Sequence, residues 1–280
     1  MRIVNAPRNR AETVIIATDV IEQQRLLWSA NPHDWAQLAE PQMTPLFERL
    51  LDLTGVGAAT RALDLACGSG LLSSLAAARG AQVAGVDVTP ELLEIARTRV
   101  PEGDFRVAAM EELPFGDACF DVVTAVNALQ FSVKLERALA EAVRVLDGGG
   151  SSRFAAAVFA EPERNEGTAL QRAMASLVSD GDGDGYAPYG LSSAGALEAA
   201  LAGAGLSVID SGELPLAWSY PDIEALSRGL LASAGGARAS RAAGEDRVRE
   251  AIAGAARPFQ DGSGAVTLRN VFRYAVAVKP

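Results

Sequence analysis

Between residues 61 and 160 the hydrophobic period of the chain switches back and forth, and this restricts the fold more than any other feature. RALDLA (61–66), QVAGVDV (82–88), FRVAAM (105–110), FDVVTAVNA (120–128) and SRFAAAVFA (152–160) are short, mostly apolar runs of strand length. LLSSLAAARG (71–80), TPELLEIARTRV (89–100) and LERALAEAVRVL (135–146) instead repeat every three to four residues, as amphipathic helices do. Thr89 and Pro90 suit a helix start, and Gly80 a helix end. Strands joined through helices by short connections imply a parallel sheet covered on both faces.

The flanks are less regular. Residues 11–30 and 35–53 show helical spacing, with Pro41 and Pro45 breaking the second stretch. After residue 160 a helix is expected within 161–180, a mobile loop at GDGDGYAPYG (181–190), and a helix at 192–205. LSVIDSGELPLAW (206–218) and NVFRYAVAVKP (270–280) read as two late strands, with helices at 221–234 and 245–259 between them. The expected fold is α/β: a Rossmann-like, doubly wound, mostly parallel seven-stranded sheet with helical lid insertions. Its divisions are a helical lead-in or lid (1–54), a cofactor-binding core (55–160), and the C-terminal part of the sheet with cap insertions at 161–190 and 219–262.

Composition narrows the function. The 280 residues carry a net charge of −10, and the basic residues are scattered, which argues against a nucleic-acid partner. No stretch is both long and apolar enough to span a membrane, and residues 1–14 lack the apolar segment of a secretory signal, so a cytoplasmic protein is expected. Two cysteines, Cys67 and Cys119, and one histidine cannot complete a structural zinc site without a carboxylate. No metal is expected.

Ligands of open parallel sheets bind at the carboxyl ends of the strands, where strand order reverses. Here the first strand–helix turn is DLACGSGLL. Gly68 and Gly70 let the backbone turn sharply and approach a ligand, and the helix behind them presents free N–H groups. The second strand ends in Asp87, 17 residues beyond Gly70, where a carboxylate can accept both hydroxyls of a ribose. A dinucleotide fingerprint requires a third glycine, and Ser73 stands there instead. Asp64 suits an ammonium group better than a pyrophosphate. S-adenosylmethionine offers an ammonium and a ribose with no phosphate.

LDLACGSG (63–70), GVDVTPELLEIAR (85–97), EELPFGDACFDVV (111–123), VTAVNALQF (123–131) and LDGGG (146–150) together resemble the class I S-adenosylmethionine-dependent methyltransferases, over roughly residues 35–160. The resemblance implies that Asp64 and the backbone from Ala66 to Gly70 hold the methionine portion. It gives Asp87 the ribose, Val88 one face of the adenine, and Met110 and Glu111 the other. Asn127 would face the methionine end and the sulfonium. Ala109 stands where many relatives carry an acid for the adenine amino group, and Gln130 where some carry a histidine.

Methyl transfer from a sulfonium is an in-line displacement that mainly needs alignment and exclusion of water. A base is required only for an acceptor that holds its proton tightly. His33, with an ordinary pKa near neutrality, is the candidate catalytic base; a surface or helix-start position is the alternative. Trp28, Trp35, Trp218, Tyr186 and Tyr189 read either as lining for an apolar acceptor pocket or as core. The acidic charge and apolar lid favour a small organic acceptor, and the resemblance is to methyltransferases of secondary metabolism. Two alternatives stand beside this reading: an S-adenosylmethionine-binding enzyme of the same fold that catalyses a non-methylating reaction such as cyclisation, and a nicotinamide-dependent oxidoreductase.

Overall fold

The computed structural model describes residues 20–178 and 190–280. GDGDG (181–185), Tyr186 and Tyr189 lie outside the described residues. Seven strands form one sheet in the order β3-β2-β1-β4-β5-β7-β6. The first five, β1 (Arg61–Leu65), β2 (Gln82–Asp87), β3 (Asp104–Val107), β4 (Val122–Val126) and β5 (Arg153–Phe159), pair in parallel. The chain winds outward from β1 through β2 to β3, then returns to β4 on the other side of β1, so order reverses between β1 and β4.

A helix over 20–28 (α1) opens the described chain. A short helical turn (Pro32–Asp34), a wide π turn (Trp35–Ala39) and a tight 3-10 turn (Glu40–Met43) lead into α2 (Thr44–Thr54). The prolines explain the break: neither Pro41 nor Pro45 has an N–H to continue a ladder, and each sits in the first turn of the next element. The sheet is flanked by α3 (Leu71–Ala78), α4 (Pro90–Arg99) and α5 (Leu135–Val145). Helix α5 buries Ala138, Leu139, Ala142 and Val145, the stripe that its sequence period marks. Phe154, Leu63, Leu65 and Val123, all at most 1% exposed, fill the core beneath it.

The last two strands differ in kind. β6 (Ser207–Tyr220) and β7 (Val266–Val278) form a long antiparallel ribbon, and β7 joins β5 antiparallel. The far end of the ribbon, with Tyr220, Val266 and Leu268, runs past the sheet into a helical cluster of α6 (Gly167–Ala175), α8 (Ile223–Leu231), α9 (Ala234–Ala243) and α10 (Glu245–Ala256). Helix α7 (Ala196–Gly203) packs separately on the sheet core. Helix α9 had no counterpart in the sequence pattern, because AGGARAS looks like a loop. Gly236 is needed there: a Cβ on it would come within 2.2 Å of the Leu230 carbonyl.

Candidate active site

Two adjoining cavities open above the carboxyl ends of β1, β2 and β4. The first follows the glycine turn. Ala66 (φ 52°), Gly68 (φ 55°) and Gly70 (φ 78°) are all left-handed, so the chain turns almost on itself between β1 and α3. Asn127, just past β4, shares that conformation (φ 52°), and its N–H donates to the Ala157 carbonyl at 2.7 Å. Two non-glycine residues held left-handed at adjoining strand tips mark a backbone that its surroundings over-determine.

Asp64 is 5% exposed. It accepts from Thr124 Oγ1 on β4 at 2.9 Å and from Ser73 Oγ at 3.3 Å. Ser73, which breaks the dinucleotide fingerprint, is thus a partner of the first acid. Burial pushes the Asp64 carboxyl up to about 7; the Thr124 and Ser73 hydroxyls oppose this, and the nearby Glu40 and Asp87 charges add to it. Asp87 is 8% exposed and accepts from the Gly68 N–H (3.0 Å) and the Thr89 N–H (2.9 Å), clamping the glycine turn to the tip of β2. Burial raises its pKa as well, against those hydrogen bonds.

Asp64, Ala66, Gly68, Asp87, Val88, Met110, Glu111 and Asn127 all line this cavity. Gly70 does not. A Cβ there would lie 2.7 Å from the Ala96 Cβ, so its missing side chain serves the packing of α3 against α4 rather than a ligand's approach. At Gly68 the open space does face the cavity, 3.4 Å from Glu40 Oε1 and 3.5 Å from Trp35 Nε1. One oxygen of Glu111 is occupied, accepting from the Val133 and Lys134 N–H groups at 2.6 and 3.3 Å. The structure does not bring His33 to the site. It is exposed at the start of the lead-in turns and lines neither cavity, because the short Pro32–Asp34 turn aims it outward.

The sequence reading missed Glu40. It is 3% exposed and raised in pKa, chiefly by burial, against the Arg99 charge. The Ser69 hydroxyl and the Arg99 guanidinium both donate to its carboxylate, and Arg99 reaches on to the Ser69 and Ala36 carbonyls, each at 2.9 Å. Glu40 thereby fastens the N-terminal turns over the glycine loop. A helical period with an acid at a break looks like an ordinary solvated face; only the Arg99 contact, 59 residues away, reveals it. Gln24, also on this wall, buries a side-chain oxygen with no partner among the described residues.

The first cavity therefore carries Glu40, Asp64, Asp87 and Glu111, and among the described residues no lysine, arginine or histidine. That donor set fits a ligand with cationic and hydroxyl groups and disfavours a phosphate. The second cavity, about 460 Å³, meets the first at Trp28, Trp35, Met43, Asn127 and Phe131. Trp28 stands edge-on to Trp35 (4.8 Å) and Phe131 (5.6 Å), and Trp218 edge-on to Phe159 (5.6 Å). The three tryptophans thus line the cavity instead of filling a closed core.

A doubly wound sheet with an acid-lined cradle at its switch point defines a nucleoside-binding α/β protein. Residues 63–154 match the family model described as a methyltransferase domain, and this part of the chain is a methyltransferase domain. The chain is 37% identical over 131 residues to an uncharacterized protein of Mycobacterium tuberculosis, covering 45% of this chain and 47% of that one. It is 40% identical over 89 residues to a demethylmenaquinone methyltransferase of Chlorobaculum parvum, covering 31% and 37%. The chain thus spans less than half the length of these curated relatives. The crystal structure of the [4+2]-cyclase SpnF shares its fold, with a TM-score of 0.53 and 19% identity over 84% of this chain and 81% of that one. The domain match favours the methyltransferase reading over the nicotinamide-dependent alternative.

Proposed function

We propose that this protein is an S-adenosylmethionine-dependent methyltransferase acting on a small, largely apolar acceptor. The observation that carries this reading is the adjacency of an acid-lined cradle and an aromatic cavity at Asn127, where donor and acceptor would meet. When bound, S-adenosylmethionine supplies an electrophilic methyl group. Asp64 would pair with its ammonium and Asp87 accept its ribose hydroxyls, while the open face of Gly68 lets the main chain come close. Val88, Met110 and Glu111 would border the adenine. The aromatic wall excludes water and holds the acceptor in line, which is most of what this chemistry asks of a protein.

The cluster of α6, α8, α9 and α10, with the N-terminal turns, would serve as the lid. Its attachment supports this. Gln42 pairs its side-chain amide with the Ser219 main chain at 2.9 and 3.0 Å, and Asp34 binds Arg228. The match to a demethylmenaquinone methyltransferase supports a small-molecule acceptor, and a role in secondary metabolism and a cytoplasmic location belong to the same proposal. No helix of the described residues is long and apolar enough to cross a membrane. Calorimetry with S-adenosylmethionine and its demethylated product S-adenosylhomocysteine tests the cradle: failure of both to bind overturns it. Methyl-labelled cofactor separates transfer from a cyclisation, which would leave products unlabelled.

A further inference from the structure

S-adenosylmethionine carries an ammonium and a carboxylate on one carbon, so a site for it needs a donor beside its acids. The first cavity is lined by Glu40, Asp64, Asp87 and Glu111, and among the described residues by no lysine, arginine or histidine. Charge alone makes such a wall hostile to a carboxylate. Main-chain N–H groups are the usual remedy at a glycine turn, but here several are already committed. The Cys67 N–H donates to the Val86 carbonyl at 2.9 Å, the Gly68 N–H to Asp87 at 3.0 Å, and the Gly70 N–H to the Cys67 carbonyl at 2.9 Å. The start of α3 has a resident anion as well. Glu40 accepts from the Ser69 hydroxyl there, and the Leu71 N–H favours its ionised form.

A side-chain donor stands beside the open face of the turn. The Trp35 Nε1 lies 3.5 Å from the point that a Gly68 Cβ would occupy, and Glu40 Oε1 lies 3.4 Å from the same point. A donor and an acid thus flank one spot on the cavity wall, the pairing that an α-amino acid head requires. The Trp35 Nε1–H forms no hydrogen bond with another described residue. Its position is nonetheless fixed from two sides. Arg99, which grips Glu40, also donates to the carbonyl of the adjacent Ala36 at 2.9 Å, and the Trp28 ring packs edge-on to the indole at 4.8 Å. A donor held in place before the ligand arrives loses little entropy in binding it.

Resting on the methyltransferase reading, we infer that the Trp35 indole N–H holds the carboxylate of the cofactor. The N-terminal turns then supply the anion-recognising half of a cradle whose other half is acid. The same ring lines the second cavity, so the group that recognises the cofactor also borders the acceptor.

The test is calorimetric titration of the full chain with S-adenosylhomocysteine and with its decarboxylated analogue, which keeps the adenine, the ribose and the ammonium. Charge alone predicts that the analogue, a net cation, binds an acid-lined cavity more tightly. The inference expects the reverse, with S-adenosylhomocysteine at least about tenfold tighter, the scale of one hydrogen bond to a charged group. Trp35→Phe keeps an aromatic ring without the N–H, and should abolish the preference while leaving the analogue within about twofold. A merely structural role would weaken both ligands alike. The wild-type protein gives a second reading through the indole N–H resonances of its three tryptophans. That of Trp35, assigned by elimination with Trp28→Phe and Trp218→Phe, should move downfield with S-adenosylhomocysteine and not with the analogue. Should Trp35→Phe fail to fold by far-ultraviolet circular dichroism, this resonance decides. Equal affinities, tighter binding of the analogue, an unchanged preference in folded Trp35→Phe, or a Trp35 resonance that responds to both ligands or to neither overturns the inference. In each of those cases S-adenosylhomocysteine still binds, and the cofactor reading stands. Binding of neither ligand overturns the cofactor reading, and the inference with it.

Discussion

The two ends of the site are built by opposite means. Around the glycine turn, a few residues close in sequence make a polar, tightly clamped cradle: Asp64, Gly68 and Asp87 come from two adjacent strand tips, and main-chain N–H groups hold Asp87 in place. The second cavity draws its wall from segments more than 200 residues apart, from Trp28 to Arg238, and uses side-chain shape with few polar atoms. A ligand held by main chain and carboxylates demands fixed spacing, so its site is local. A ligand held by aromatic surface can be met by any element that reaches it. Evolutionary freedom should therefore lie in the second half, and perturbations of the two halves should separate.

The largest separation is expected between Asp87→Ala and Trp218→Ala. Asp87 holds both the Gly68 and Thr89 N–H groups and, on the proposed function, would take the ribose, so its loss would remove a ligand contact and leave two donors unpaired. Affinity for S-adenosylhomocysteine should fall more than about a hundredfold (~3 kcal/mol). Trp218→Ala should leave that affinity within about twofold while weakening the acceptor. Calorimetry on both variants reads the contrast, and equal losses would break it.

Next in size is a division inside the glycine turn itself. Gly70→Ala drives a methyl group to 2.7 Å from the Ala96 Cβ at a left-handed φ of 78°. It should destabilise the fold by about 2–4 kcal/mol, read as a drop of several degrees in Tm. Gly68→Ala has only side-chain tips at 3.4 and 3.5 Å, although its φ of 55° still strains an alanine. It should lower stability less and cofactor affinity more. The reverse ranking would mean that Gly70, not Gly68, faces the ligand.

The same division explains what the sequence disclosed. The five parallel strands, their helices and the Asp64–Gly68–Asp87 register are legible because each is a local pattern with one dominant physical cause. Glu40 escaped because its role depends on Arg99 of a different helix, and α9 because a Gly-Gly pair that reads as a turn is required for close packing on Leu230. Gly70 was assigned to the ligand because spacing alone cannot say which side of a turn a missing Cβ faces. The tryptophans were visible as residues but ambiguous in role, since a cavity wall and a core demand the same composition.

Titration offers a smaller and graded test of the cradle. With its carboxyl pushed up to about 7, Asp64 is partly neutral at neutral pH in the ligand-free protein. A bound ammonium favours the ionised form, so affinity for S-adenosylmethionine should fall as pH drops from 8 to 6, by at most about tenfold per pH unit. Stability runs the other way. A carboxyl raised above its unfolded value of about 3.9 contributes stability that is full below that value and lost as pH rises through about 7. The ligand-free Tm should therefore carry a component that declines between pH 6 and 8, and Asp64→Asn should flatten both trends. Persistence of the binding trend in Asp64→Asn would assign it to another group.

The smallest effect is expected at His33. As the one histidine of the chain it is the natural candidate base, yet it is exposed and outside both cavities. A base must come within hydrogen-bond reach of the proton it removes, and the position of His33 does not allow that. His33→Ala should leave kcat, KM and Tm within about twofold or one degree of the parent, and the pH–rate profile should keep its shape. A kcat loss of tenfold or more would require the N-terminal turns to swing His33 into the acceptor cavity during turnover. In that event the resting arrangement of the described residues would no longer describe the reacting state, and the line between a legible cradle and an illegible cavity would move by one residue.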